Sequence, residues 1–383
     1  MPLARSPLWL PGLLAVLVGV GLGRFAYTPL LPALVAQDWL SESQAAYAGA
    51  ANLAGYLAGA LTAQALAARP ERIAILNGAL AAAAISLLAC ALPLGFLWMA
   101  PWRFVAGMAG AFIMVLGPAT ILAATPAEAR ARVSGMIFVG VGLGIIVSGT
   151  LLPALAASGL VLAWVTLGLV GFALTAATWR LWPRAILPAT ISSAPLPGRL
   201  TVLLIIIAYA SDGIGFVPHT LFLSDFVARG LDQGEFAGGI YWAVFGAGAV
   251  VGAPACGLIA SRFGLMPSFI GALMVKAAAV ALPLVATQAP ALALSAFLVG
   301  ALTPGMVALA AGLSAMLAHG PAQARLFGAL TIAFALAQAG GGYLMSWVFG
   351  WTQSHMPLFA LGAAMLAAGA LSASLAAMRM RRA

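Results

Sequence analysis

The sequence predicts an all-α integral membrane protein, with twelve transmembrane helices in two six-helix bundles related by a parallel pseudo-two-fold axis. Three observations predict it: apolar content, a one-sided distribution of arginine, and an internal repeat at an offset of 192 or 193 residues. The chain has 383 residues and is 64% hydrophobic. That is about 245 apolar residues, and twelve helices of roughly 20 would use about 240. Charged residues make up 7%, against about 25% in soluble domains, too few to cover a water-facing surface. Soluble enzyme, disordered chain, coiled coil and disulfide scaffold are thereby excluded. A transmembrane β-barrel would alternate with a period of two, whereas these apolar runs are continuous.

The first half holds six spans, at about 8–36, 44–67, 73–93, 95–122, 133–156 and 159–181, read from apolar runs against turn and charge signals. The first follows Arg5 and continues to Ala36 with no small-residue cleavage site, so it reads as a span and not a signal peptide. It carries Arg24 near its middle, followed by Pro29 and Pro32, which can bend it. The second places Asn52 and Tyr56 on one face, and Gly55 and Gly59 form a close-packing pair. The fourth contains Arg103, and the fifth contains Gly140, Gly142 and Gly144. With no strand before it, that glycine run is not a dinucleotide loop.

Residues 182–199, with four prolines and two arginines, form the connection between the halves. The domain reading is 1–181, a cytoplasmic linker at 182–199, and 200–383. The second half repeats the pattern at about 200–228, 236–260, 266–287, 290–317, 326–349 and 356–377. The seventh span holds Asp212, read as the only acid deep in a span, and His219. Tyr241 and Trp242 open the eighth, Lys276 lies in the ninth and Gln338 in the eleventh.

Net charge is +9. In a membrane protein this points to basic cytoplasmic loops, not to nucleic acid. Arg5, Arg69, Arg72, Arg130, Arg132, Arg180, Arg184, Arg199, Arg262, Arg325, Arg379, Arg381 and Arg382 all fall on one side, while Arg229 falls in a loop on the other. The positive-inside rule then places both termini in the cytoplasm and the chain in the inner membrane. Cys90 and Cys256 lie within apolar runs and support neither a disulfide nor a metal site.

The repeat is legible residue by residue. Gly21-Leu22-Gly23 meets Gly213-Ile214-Gly215, and Thr28 meets Thr220. Gly55 and Gly59 meet Gly248 and Gly252, Arg69 meets Arg262, and Phe104 and Gly107 meet Phe297 and Gly300. Ala131-Arg132 and Gly135 meet Ala324-Arg325 and Gly328. An even number of helices per half makes the repeat parallel, with its axis along the membrane normal.

This arrangement resembles the major facilitator superfamily over the whole chain. The stretch from Gly257 through Ser261-Arg262 to Gly264 is similar to that superfamily's Gly-x-x-x-Asp-Arg-x-Gly loop, with Ser261 in place of the acid. Arg103 and Gly107 resemble its Arg-x-x-x-Gly motif in the fourth helix, and Gly140 through Gly149 resembles the antiporter motif without its proline. Gly23-Arg24-Phe25-Ala26-Tyr27-Thr28-Pro29 through Pro32 resembles the opening of the YbfB/YjiJ-type branch. The resemblance implies the major facilitator fold, transport without a cofactor, and a link between Arg103 and proton coupling.

Ionisable residues inside a bilayer are functional candidates by default. Arg24 offers a permanently charged, forked donor suited to carboxylate; the bland alternative is a structural pair with an acid or with carbonyls. Asp212 is the candidate proton-coupling acid, alone or as a fixed pair with Arg24. Arg103 either joins it in proton coupling or reaches towards the outer interface, and Lys276 is expected to reach a carbonyl or snorkel. Tyr27, Asn52, Tyr56, His219, Tyr241 and Gln338 complete the candidate substrate-binding set, though each alone suits helix packing.

The function expected is secondary active transport of a small anionic or carboxylated solute by alternating access, with protons as the simplest coupling gradient, with no nucleic-acid partner, as a monomer or weak oligomer. No Gly-x-x-x-x-Gly-Lys-Ser/Thr loop exists to drive it with ATP. Proton-driven efflux of amphipathic compounds is the alternative. A lipid-modifying enzyme would need clustered acids, nucleophiles or metal ligands, and His219, His319 and His355 lie far apart in sequence.

Overall fold

A computed structural model of the chain describes residues 7–67, 69–126, 129–183, 198–318 and 321–382. Regular structure among them is entirely helical, in twelve long helices. The first six are α1 (Trp9–Ala36), α2 (Glu42–Ala67), α3 (Arg72–Ala89), α4 (Phe96–Ala123), α5 (Arg130–Ala157) and α6 (Leu160–Thr178). The second six are α7 (Arg199–Gly230), α8 (Gly234–Phe263), α9 (Leu265–Leu284), α10 (Ala289–Leu317), α11 (Pro321–Thr352) and α12 (Met356–Arg382). Most of the expected connection at 182–199, with Arg184, lies outside the described residues, as do Arg5 and His319.

The repeat reappears as duplicated packing. In the first half a Cβ on Gly55 would collide with the Phe104 backbone, one on Gly59 with Met108, and one on Gly107 with Asn52. In the second half the same additions at Gly248, Gly252 and Gly300 would collide with Phe297, Ala301 and Phe245. Every pair is shifted by 193 residues. Bare backbones therefore set the spacing of α2 on α4 and of α8 on α10, since lipid offers no hydrophobic drive to bring helices together. Gly264, at φ 87°, is the single residue between α8 and α9. A side chain there would be strained, so the glycine ending the basic loop motif is a turn requirement.

Helix α1 is not uniformly α-helical. Leu17–Phe25 is wound with the wider π spacing, between α-helical segments Trp9–Val16 and Tyr27–Ala36. Three glycines lie in this stretch, and Pro29 beyond it has no N–H to give to the carbonyl four or five residues earlier. Gly19 sits against Ile113 of α4, and Gly21 meets Gly144 of α5. Helix α5 is wedged between the halves: Gly140 faces Leu13 and Leu17 of α1, while Gly142 faces Gly246 and Val250 of α8.

Contacts between the halves run from mid-span to the end remote from the arginine-rich loops. Gly149 meets Gly239, Tyr47 lies 6.1 Å from Tyr343, and Ser43 abuts Gly350. Towards the basic end, Cβ atoms on Gly135 and Gly257 would meet nothing within 4 Å. The halves thus close together at the far end. The Thr28 hydroxyl donates to the Thr220 carbonyl. These are repeat-equivalent residues, so the pseudo-two-fold passes between them.

Candidate functional site

At the end of the π-wound stretch of α1, two side chains meet the backbone carbonyls. Arg103 Nη1 donates to the Gly23 carbonyl at 2.9 Å, and Nη2 to that of Arg24 at 3.3 Å. Asn52 Nδ2 donates to Gly23 at 3.3 Å and to the Arg103 carbonyl at 3.0 Å. Arg103 is 1% exposed, and its guanidinium lies 4.6 Å from the centroid of the Tyr27 ring. The outer-interface alternative for Arg103 is corrected: the Gly23 and Arg24 carbonyls of α1 are nearer partners than the membrane surface. Tyr27 is fixed by its hydroxyl, which donates to Ala45 of α2 at 2.7 Å.

Arg24, Tyr27, Thr28, Asn52, Arg103 and Thr220 line a small cavity of about 20 Å³ between α1, α2, α4 and α7, room for about one water. Arg24 keeps part of its surface exposed, yet its Nη2 is buried with no hydrogen-bond partner. Its guanidinium carbon is 4.9 Å from the Phe25 centroid, 5.0 Å from Tyr56 and 5.9 Å from Phe216. No acid pairs with it among the described residues. The buried Oδ1 of Asn52 is also unpartnered.

The possible Arg24–Asp212 pair is corrected. Asp212 Oδ1 accepts from Lys276 Nζ at 2.7 Å, with side-chain exposures of 1% and 0%. Helical spacing gives the face that Asp212 shares with Tyr209 and Phe216, but not what α9 presents to it. Lys276 accordingly reaches a carboxylate, neither a carbonyl nor the interface. Its Nζ is 5.1 Å from the Phe216 ring, which Arg24 also approaches to 5.9 Å.

Three other candidates stand away from the cavity. His219 is fully buried within the second half, its Nε2 2.8 Å from Ser295 Oγ. The Ser295 hydroxyl donates to Ala279, so His219 Nε2 must carry the proton in this pair. Tyr241 is buried in the hydrophobic core. Gln338 is 1% exposed at the crossing of α11 and α7, with both amide atoms unpartnered.

A second charged cluster escaped the sequence reading. Asp225 is fully buried, so Asp212 is not the only buried acid of the seventh span. Arg229 belongs to the last turn of α7 and not to a loop. Its Nη2 donates to Asp225 Oδ2 at 2.7 Å, its Nε to the other oxygen, and its Nη1 to Glu42 across the halves. His355, at the start of α12, holds Asp225 Oδ2 at 2.8 Å from a pocket of Phe222, Phe226 and Phe349. The available signal was the four-residue spacing of Asp225 and Arg229 at a span end, with Glu42 and His355 bordering spans on the same side.

Solved transporters share this architecture. The D-xylose–proton symporter covers 97% of this chain and 97% of its own at 18% identity, with a TM-score of 0.72. The nucleoside transporter NupG covers 97% and 100% at 12% identity and 0.73. A bacterial homologue of the human lysosomal transporter Spinster, inward-facing and occupied, covers 97% and 96% at 16% identity and 0.68. No curated protein sequence matches the chain. The sequence profile described as "Uncharacterised MFS-type transporter YbfB" matches residues 16–374. This multi-pass membrane protein, a transporter and not an enzyme, belongs to the YbfB-type family of the major facilitator superfamily.

Proposed function

We propose that the protein carries a small carboxylated solute across the inner membrane by alternating access, coupled to protons, with Arg24 as the anion ligand. The observation that carries this reading is the state of Arg24: a cation within a span, partly accessible, with a buried unpartnered donor and no acid beside it among the described residues. A charge held this way costs a few kcal/mol unless an anion relieves it. A carboxylate accepts the planar fork with two parallel hydrogen bonds. Arg103 and Asn52 hold the backbone of Gly23 and Arg24 and so aim the guanidinium.

In this reading the arginine-rich loops and both termini lie on the cytoplasmic side, as the positive-inside rule favours. Asp212 with Lys276 is the proposed proton-exchange site, adjoining Arg24 through Phe216. The xylose symporter's use of protons is consistent with such coupling. Exchange and accumulation assays in proteoliposomes test the ligand. Arg24→Lys should raise KM strongly while the protein still folds, and Arg24→Ala should abolish saturable transport. Unchanged transport by Arg24→Ala refutes the anion role. Efflux of neutral amphiphiles would instead leave transport indifferent to residue 24 and make a deletion strain hypersensitive to such compounds.

A further inference from the structure

We propose that the solute is a monocarboxylate with a flat, apolar body, an inference that rests on Arg24 being the anion ligand. The single charge follows from how the three cations deep within the spans, Arg24, Arg103 and Lys276, are engaged. Arg103 is buried against the Gly23 and Arg24 carbonyls, and Lys276 is buried against Asp212. Arg24 is the one of the three with accessible surface. A second carboxylate on the solute would enter a low-dielectric space with no cation left to meet it, which strongly disfavours a dianion.

The flat body follows from what surrounds Arg24. Phe25, Tyr56 and Phe216 enclose the guanidinium, each ring centroid within 5.9 Å. The enclosure continues into a band joining both halves. Phe25 is tilted against Trp242 at 5.8 Å, and Phe216 against Phe334 at 5.4 Å. Aromatic faces and edges select planar apolar groups through offset and edge-to-face contacts. A polyhydroxylated solute would need an array of amides and carboxylates around the cation. Near Arg24 the neighbours offer the unpartnered Oδ1 of Asn52 and the Tyr56 hydroxyl, well short of such an array.

The test is calorimetric titration of the purified full-length protein with benzoate, indole-3-acetate, succinate, gluconate and benzyl alcohol. Benzoate or indole-3-acetate should bind at least ten-fold more tightly than gluconate, succinate or benzyl alcohol. That binding should be lost in Arg24→Ala and weakened in Arg24→Lys, and the second variant guards against misfolding of the first. Tyr56→Leu should weaken the aromatic acids several-fold and leave gluconate unaffected. Tighter binding of gluconate or succinate that still depends on Arg24 overturns the aromatic inference and spares the anion site. Binding that ignores both Arg24 variants, or no binding by any of the four anions, overturns the anion site as well.

Discussion

Neutralising Asp212 and Lys276 separately and together has sharply different expected outcomes. Asp212→Asn leaves the Lys276 ammonium fully buried without its carboxylate, and Lys276→Met leaves the carboxylate without its ammonium. Breaking a buried pair from one side costs about 3–5 kcal/mol, because the remaining charge stays uncompensated. Removing both charges removes that penalty, and replacing a buried pair with uncharged groups of similar volume is often close to neutral. Each single variant should therefore lose about 3–5 kcal/mol, while the double variant stays within about 1–2 kcal/mol of the parent. Denaturant unfolding of the detergent-solubilised protein, followed by tryptophan fluorescence, measures all three. In proteoliposomes the double variant should retain solute exchange, which needs no change of protonation, and lose accumulation driven by a pH gradient. Additive losses in the double variant would refute the pairing argument. Full accumulation in the double variant would place the coupling proton elsewhere.

Gly55→Ala and Gly248→Ala should lower stability by similar amounts, about 1–3 kcal/mol each, because both methyls meet the equivalent backbone. Gly78→Ala and Gly271→Ala, with open space around them, serve as controls in the same unfolding assay. Glu42→Gln removes the cross-half partner of Arg229, a partly exposed pair worth about 0.2–1 kcal/mol, so the far-end-open population should rise by up to about five-fold. Thiol labelling of a Tyr47→Cys reporter reads that change, and unaltered labelling would show that Glu42 does not latch the gate. Arg103→Lys cannot serve both the Gly23 and Arg24 carbonyls through a rigid fork. It should lose about 1.5–3 kcal/mol and slow exchange, measured by unfolding and by radiolabelled counterflow.

The bilayer made the fold easy to read. A span needs about 20 apolar residues whatever its neighbours are, so α7 was anticipated at 200–228 and found at Arg199–Gly230. The glycine pairs marked close packing, because backbone contact leaves no freedom at those positions, but not that α2 meets α4 there. Side-chain partnerships were harder. Periodicity assigned Asp212 to a face but not to Lys276, because that partnership depends on how α9 is rotated against α7. His219 repeats the position of Tyr27, yet it turns to Ser295 inside its own bundle. The π winding of α1 left its trace in Gly19, Gly21, Gly23 and Pro29. Which side chains would bond the Gly23 and Arg24 carbonyls depended on α2 and α4 and could not be read from α1 alone.

The contact of Thr28 with Thr220 also bears on how such a site could arise. Where equivalent residues touch, each position near the axis faces its own counterpart. Position 24 corresponds to 216, and the Arg24 guanidinium lies 5.9 Å from the Phe216 ring. In an assembly of two identical halves an arginine at that position would confront a copy of itself. At about 6 Å and an effective dielectric of 20, two such charges repel by roughly 3 kcal/mol. A lone cation on the axis therefore requires two halves free to differ in sequence. Fusion into one chain supplies that freedom, so asymmetry at this position is a precondition of the site and not a later embellishment.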